Sequence, residues 1–492
     1  MRVAVLEGAD QLQRWAPVLD ELPRLRAVVV VDPSARTPAD ARFVRYSDLR
    51  GSHLPDHDRA EFERWTDAIT PEQPLTVVYT SGTTGDPKGV VLSHRNVLHE
   101  AAAQEHLVPV PEHPRSIAYL PLAHIAERVL GIYLPLWTAG HVTTCPDPDE
   151  LLAALVAVRP HGLFGVPRVW EKIAAGLRAK LDALPDEQAG LVERARDVSA
   201  RVFRARSERA AIDAATEREH AELDERVLRP IRTAIGLDES ARNFSGAAPI
   251  PASVLEFLAS LGIQVHEVWG LSETTGAATA NTPDEFVLGG VGKPLPGMEV
   301  STADDGELFV RGPVVTPGYL QRDGTVQPAV DGNGWFATGD VGELDAQGNV
   351  SITDRKKELI ITAGGKNIAP TRIEGLLRAH PLVGHAVAVG DGRRYVTARL
   401  VLDEQSGVEW AEARGIDVTG VAELAAHPAV LEEVDTAVQA ANRELARVEQ
   451  VKRHRVLDHP WVAGSPELTP KLSLRRRVIH ERYRPEIEQL YR

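Results

Sequence analysis

Val77-Val78-Tyr79-Thr80-Ser81-Gly82-Thr83-Thr84-Gly85-Asp86-Pro87-Lys88-Gly89-Val90-Val91-Leu92-Ser93-His94 is the stretch on which the reading of this chain turns. A β-branched run enters a loop of glycines and small hydroxylated residues, and a lysine leads into a second β-branched run. The pattern predicts a strand–loop–strand hairpin. Glycines let the loop curl with its N–H groups turned inward, a concavity that attracts phosphate oxygens. Ser81, Thr83 and Thr84 add hydroxyl donors around Gly82 and before Gly85, and Lys88 adds a point charge. The loop is not a Walker A motif, because Lys88 stands between Pro87 and Gly89 and not in Gly-Lys-Ser/Thr.

Upstream, Val3–Leu6, an amphipathic stretch to about Leu25 and the run Ala27-Val28-Val29-Val30-Val31 predict a βαβ unit with buried parallel strands. Residues 40–75 are polar and predict loop. Downstream of the hairpin, residues 96–105 predict a helix, and Ser116–Leu120 a strand that breaks at Pro121 into the loop carrying His124. Leu151–Val158 reads as a helix, and His161–Val169 as a buried strand ending at a proline turn. Residues 170–235 alternate acidic and basic residues at helical spacing and predict a solvated helical hairpin. Two further strands end in small-residue loops: Asn243-Phe244-Ser245-Gly246-Ala247-Ala248, and Val265-His266-Glu267-Val268-Trp269-Gly270-Leu271-Ser272-Glu273. In an open parallel sheet such strand ends form the ligand crevice. Closely spaced turn glycines from Gly289 onward predict a small antiparallel barrel. Helices are expected near 371–379, 421–427 and 429–446.

These motifs, in this order, resemble the adenylate-forming superfamily of acyl-CoA synthetases, adenylation domains and luciferases. Leu120-Pro121-Leu122-Ala123-His124-Ile125-Ala126-Glu127-Arg128 and the helical insertion tilt the likeness toward long-chain fatty-acid–CoA ligases. The resemblance implies an α/β fold: a large N-terminal domain of layered α/β sheets with a β-barrel-like part, then a smaller mobile α+β domain. Its boundaries here would be 1–357, with the insertion at about 170–235 and the β-rich part at about 289–353, and 358–492.

The implied chemistry joins a fatty acid to CoA through acyl-AMP, with ATP, CoA and Mg2+ as cofactors. Catalytic roles fall on Lys88, His124, Glu273 and a C-terminal lysine, with Glu273 and Thr83 as magnesium ligands. The nucleotide would meet residues 80–85, Lys88, Gly246, Ala247, Ala248, Trp269, Gly270, Ser272, Asp340 and Arg355. Trp269 stands where the family usually has Tyr. Lys357 matches the interdomain hinge, and Gly364, Gly365 and Lys366 match the loop that lines the pantetheine tunnel.

Two departures stand out. The family's leading segment is absent, which points to a shortened or misassigned start. Near the C-terminus the adenylating lysine is expected where Ser473 stands. Lys471 lies two residues earlier, about 7 Å along an extended strand, and is the candidate. Two alternatives therefore stay open, an acyl-AMP ligase that loads a carrier protein and a catalytically weakened nucleotide-binding homologue.

At 492 residues with 43% hydrophobic content the chain is long enough for two or three domains. A net charge of −15 argues against a nucleic-acid partner. The single cysteine, Cys145, excludes an internal disulfide, and no apolar run reaches the length of a membrane span. A cytoplasmic protein is expected, with peripheral membrane contact compatible with an amphiphilic substrate. No Gly-x-Gly-x-x-Gly follows a strand with an acidic residue suitably downstream, which excludes a dinucleotide enzyme.

Overall fold

The computed structural model describes residues 2–51, 59–80, 87–462, 465–468 and 473–492. They fall into two compact units, Met1–Thr70 and Pro71–Arg492.

In the first unit Val3–Leu6, Ala27–Val30 and Phe43–Arg45 form a three-stranded parallel sheet, with Val3 opposite Ala27 and Val28 opposite Phe43. Ala4, Leu6, Leu12, Leu19, Leu25, Val28 and Val30 form its core. The βαβ reading holds. The expectation of loop over 40–75 does not: strand Phe43–Arg45 and helices Tyr46–Gly51 and Arg59–Asp67 lie there. The last helix buries none of its residues. Its two large apolar residues, Phe62 and Trp65, are both exposed, and in so polar a stretch they gave too short a pattern to separate it from a loop.

In the second unit the predicted hairpin forms from Pro74–Thr80 and Lys88–Ser93, paired antiparallel from Pro74↔Ser93 to Thr80↔Lys88. Its Lys88–Ser93 strand is also paired, antiparallel, with Gly318–Leu320, which carries Val326–Pro328 at the sheet edge. Ser93 caps the following helix, His94–Leu107, by accepting the Asn96 N–H.

A five-stranded sheet lies beside it. Gly162–Gly165, Arg242–Ser245 and His266–Trp269 are parallel, and Thr279–Ala280 and Lys293–Pro294 extend it antiparallel. Leu155, Trp170, Leu228, Leu258 and Ile263 fill the core against which it packs. The strand expected over 161–169 is only Gly162–Gly165, because Pro167 starts a helix, Pro167–Asp182. Proline suits a first helical turn, where its missing N–H is no loss.

The expected helical hairpin is longer than two helices. Asp186–Ser207 and Ala214–Leu223 follow, separated at Pro185 and again before Asp213, which accepts the Ala215 and Thr216 N–H groups as N-cap. Strands Glu299–Thr302, Glu307–Arg311, Phe336–Leu344 and Val350–Arg355 form the expected β-rich part as a four-stranded antiparallel sheet.

The last strand leads through Lys356–Glu358 to Ile360–Ile361. Beyond it Val383–Val389, Val396–Leu402 and Val451–Leu457 form a separate sheet. Helices Pro370–Arg378, Val421–Ala426 and Pro428–Arg443 lie where expected and share a core with it that includes Ile373, Leu377, Leu424 and Val434. A second core on this sheet, including Val387, Val401, Tyr483 and Ile487, is closed by the C-terminal helices Arg476–Arg482 and Arg484–Gln489. Among the described residues no helix is long and apolar enough to cross a membrane.

Candidate active site

The hairpin brings Lys88 to the mouth of its loop, and the strand Gly318–Leu320 sets Tyr319 beside it. The Lys88 Nζ lies 4.9 Å from the centre of the Tyr319 ring, a cation–π contact. On its other side the Tyr319 hydroxyl donates to Glu273 Oε1 at 3.1 Å. Burial and the neighbouring Glu273 charge push the phenol well above its ordinary range, so it remains a donor. Lys88 and Glu273 are therefore brought together through a residue that the sequence reading missed. Its sequence signal was weak, because only pairing with a strand more than 200 residues earlier gives Tyr319 its place.

Glu273 belongs to a tightly determined loop. A Cβ on Gly270 would lie 1.8 Å from the Gly276 carbonyl oxygen, so only glycine fits there. Thr275 holds a positive φ of 59° and donates through its hydroxyl to the Val314 carbonyl at 2.6 Å. The Thr274 hydroxyl accepts the Leu271 N–H at 2.8 Å, and the Glu273 carbonyl accepts the Thr316 N–H at 2.7 Å.

Glu100, fully buried on helix His94–Leu107, accepts the Ala277 N–H at 2.9 Å and the Gln104 amide at 3.0 Å. Burial pushes its carboxyl up to about 8. It too escaped the sequence reading, for a lone Glu in a helix carries no signal. Ser272 is buried in the same loop.

At the other end of this stretch Trp269 is a core residue, and its indole N–H donates to Asp340 Oδ2 at 2.8 Å. Arg355 Nε lies 2.8 Å from Asp340 Oδ1. Burial raises the Asp340 carboxyl above the usual aspartate range, against the pull of Arg355 and the indole. Asp340 and Arg355 face each other because Phe336–Leu344 and Val350–Arg355 pair with these two residues in register. Gly246 is buried beneath Val268, while Ala247, in a left-handed conformation, and Ala248 are exposed.

His124 is buried at the N-terminus of a short helix, where Nδ1 accepts the Ala126 N–H at 3.2 Å. Arg128 reaches back to the hairpin, donating to Thr76 Oγ1 at 2.6 Å. Lys357 is exposed after the strand end. Gly364, Gly365 and Lys366 form an exposed tight turn, in which the Thr362 N–H donates to the Lys366 carbonyl at 3.0 Å.

Ser81, Gly82, Thr83, Thr84, Gly85 and Lys471 lie outside the described residues. Leu468 and Leu474, on either side of Lys471, are bridged antiparallel. Among the described residues no group of three or more His, Cys, Asp or Glu side chains could hold a metal ion.

An adenylate-forming architecture accounts for the hairpin, the parallel strand ends and the separate C-terminal sheet. The chain belongs to the AMP-binding enzyme family, whose signature matches residues 2–320, and the signature of the AMP-binding enzyme C-terminal domain matches residues 357–492. It is 42% identical over 436 residues to the Mycobacterium tuberculosis protein named "Putative fatty-acid--CoA ligase fadD11", covering 88% of this chain and 76% of that one. It is 35% identical to the long-chain-fatty-acid–CoA ligase FadD15 of Mycobacterium bovis, covering 97% of this chain and 78% of the relative. In fold it is similar to the adenylation domain of a carboxylate reductase from Mycobacterium chelonae, with a TM-score of 0.71 at 19% identity over 99% of this chain and 73% of that one.

Proposed function

We propose that this chain is a fatty-acid–CoA ligase that converts a medium- to long-chain fatty acid to acyl-AMP with ATP and then to the CoA thioester. AMP and pyrophosphate are released. The observation that carries the reading is the placement of Lys88 and Glu273 on either side of Tyr319 at the mouth of the phosphate hairpin. The 35–42% identity to fatty-acid–CoA ligases over most of the chain supports the substrate class.

In this reading the hairpin's N–H groups and Lys88 receive the β- and γ-phosphates, and Asp340 and Arg355 take the ribose. Gly246, Ala247 and Ala248 leave room for the adenine, with Trp269 fixing Asp340 from behind. Glu273 is an oxygen donor of the kind magnesium takes when it also binds phosphates, and with Thr83 it would hold that ion, which neutralises the departing pyrophosphate. His124 stands between nucleotide and acyl carboxylate. Lys471 brings positive charge to the α-phosphate during adenylation.

We place the domain boundary at residues 357/358. Polar contacts cross it, Asp354 with Thr371, Arg168 with Asp403, and Glu171 with Arg378 at 4.0 Å. Polar contacts of this kind permit domain rotation about Lys357, which would carry the Gly364–Lys366 turn toward the site for thioester formation.

The deciding experiment is fatty-acid-dependent exchange of labelled pyrophosphate into ATP, on this chain and on Lys471→Ala. Exchange abolished by the substitution is the expected result. Ser473, in the register of the family's lysine, favours a second reading, a homologue that retains only thioester transfer. Absence of exchange with transfer from supplied acyl-AMP intact would establish that reading instead. Offering CoA or a carrier protein as acceptor separates the two ligase classes.

A further inference from the structure

Two opposite charges, Lys88 and Glu273, lie on elements that meet at Tyr319, yet no direct ion pair joins them. A direct pair would neutralise both groups, and arriving phosphates and metal would then have to break it. Tyr319 prevents this by satisfying each partner with a different part of itself, the lysine on the ring face and the carboxylate on the hydroxyl.

Its own position is fixed from two directions. The strand Gly318–Leu320 pairs Tyr319 with Val90 of the hairpin. Three residues before Tyr319, Thr316 donates its N–H to the Glu273 carbonyl and its hydroxyl to the Val91 carbonyl. A Cβ on Gly318 would lie 2.0 Å from the Gln327 carbonyl oxygen, so the turn into the strand admits little adjustment. The backbone beneath Tyr319 is thus tied both to the strand that carries Lys88 and to the loop that carries Glu273.

We propose that Tyr319 is a positioning residue for nucleotide and magnesium: it holds Lys88 and Glu273 apart, each charged and neither neutralised by the other, before ATP binds. The inference rests on the reading of Lys88 and Glu273 as phosphate and magnesium contacts. It assigns Tyr319 no bond to substrate. Removing the hydroxyl frees the Glu273 carboxylate to swing onto Lys88, and magnesium must then compete with an ammonium group for it. Removing the ring as well deprives Lys88 of its resting place.

Calorimetric ATP binding, titrated with magnesium and without fatty acid, tests this on the full chain. Tyr319→Phe is expected to weaken ATP binding by about tenfold, the scale of one hydrogen bond to a charged group, without magnesium as well as with it, because phosphates must then break the Lys88–Glu273 pair. Tyr319→Leu, which also removes the ring on which Lys88 rests, is expected to weaken binding further. In a Glu273→Gln background, where no ion pair with Lys88 can form, Tyr319→Phe should leave magnesium-free ATP affinity unchanged. The Phe variant keeps the ring and its packing, so a folding failure of the Leu variant leaves the comparison intact.

Unchanged ATP affinity in Tyr319→Phe, or an equal loss caused by Tyr319→Phe in the Glu273→Gln background, would overturn the inference. ATP binding without fatty-acid-dependent exchange would refute the ligase reading alone. Absence of ATP binding by the unaltered chain would refute both.

Discussion

Trp269 donates its indole N–H to the Asp340 carboxylate at 2.8 Å, and both residues are buried. The strand end at the crevice and the β-rich sheet, 71 residues further along the chain, are locked at this point. Trp269→Phe keeps an aromatic ring but leaves a buried carboxylate with one donor fewer. The expected cost is about 1–3 kcal/mol of stability, read as a lower midpoint in denaturant. Weaker ATP binding should accompany it, because the freed carboxylate no longer points in one direction.

Glu100 gives the fold a pH dependence of calculable sign. Its carboxyl is moved from 4.5 to about 8 by burial. Between those values the folded chain keeps a proton that the unfolded chain has released, so stability falls as pH rises. The contribution is complete below about pH 4.5 and lost once pH passes about 8. Glu100→Gln stays neutral throughout. Its stability relative to the unaltered chain should therefore rise from pH 5 to about pH 8 and then level off, as followed by denaturant melts across that range.

Asp354 accepts the Thr371 N–H and hydroxyl, each at 2.9 Å, and the Arg355 N–H at 2.7 Å. Asp354→Ala leaves these donors without their buried acceptor. Limited proteolysis should then cut the segment 355–358 markedly faster, with a loss of about 1–3 kcal/mol in local opening free energy.

Arg476 is held by Glu374, at 2.5 and 2.7 Å, and by Glu358 at 3.0 Å, with little of its side chain exposed. Glu374→Ala strands most of a buried guanidinium and should cost about 3–5 kcal/mol. The double variant Glu374→Ala with Arg476→Met should recover part of that loss, because the stranded guanidinium is gone and the carboxylate left behind, Glu358, is partly exposed. Denaturant unfolding of the three chains checks both outcomes.

Much of this architecture was legible in the sequence because its signals are local. The β-branched runs on either side of the Gly82–Gly85 loop are the two strands of the hairpin, and Leu151–Val158 is a helix with the bounds expected. The family likeness supplied the candidate roles of Asp340 and Arg355, which the strand register then sets face to face.

Other features had no local signature. Tyr319 lies in a three-residue strand whose partner is the hairpin, and nothing near Gly318 announces that pairing. Helix Arg59–Asp67 lies in a polar stretch and read as loop, although Arg59 and Glu63 form an i,i+4 pair and Phe62 and Trp65 share one face. The interruption at Pro185 turned an apparent hairpin into a longer helical array, because charged spacing continues through it. Trp269 shows a further limit: an aromatic at a crevice reads as a stacking surface, while its polar edge found a partner from another sheet.

The antiparallel pairing of Lys88–Ser93 with Gly318–Leu320 also sets an order of assembly. The Thr316 hydroxyl and the Val91 carbonyl that it meets are 225 residues apart. A nascent chain that has emerged only through the hairpin presents Lys88 without Tyr319, and its strand without a neighbour on one side. Such an unpaired edge invites pairing with other chains until the later strand arrives. On the proposed assignment the nucleotide site therefore matures late in synthesis, after the strands of the five-stranded sheet have been made, and ATP cannot act as an early template for folding.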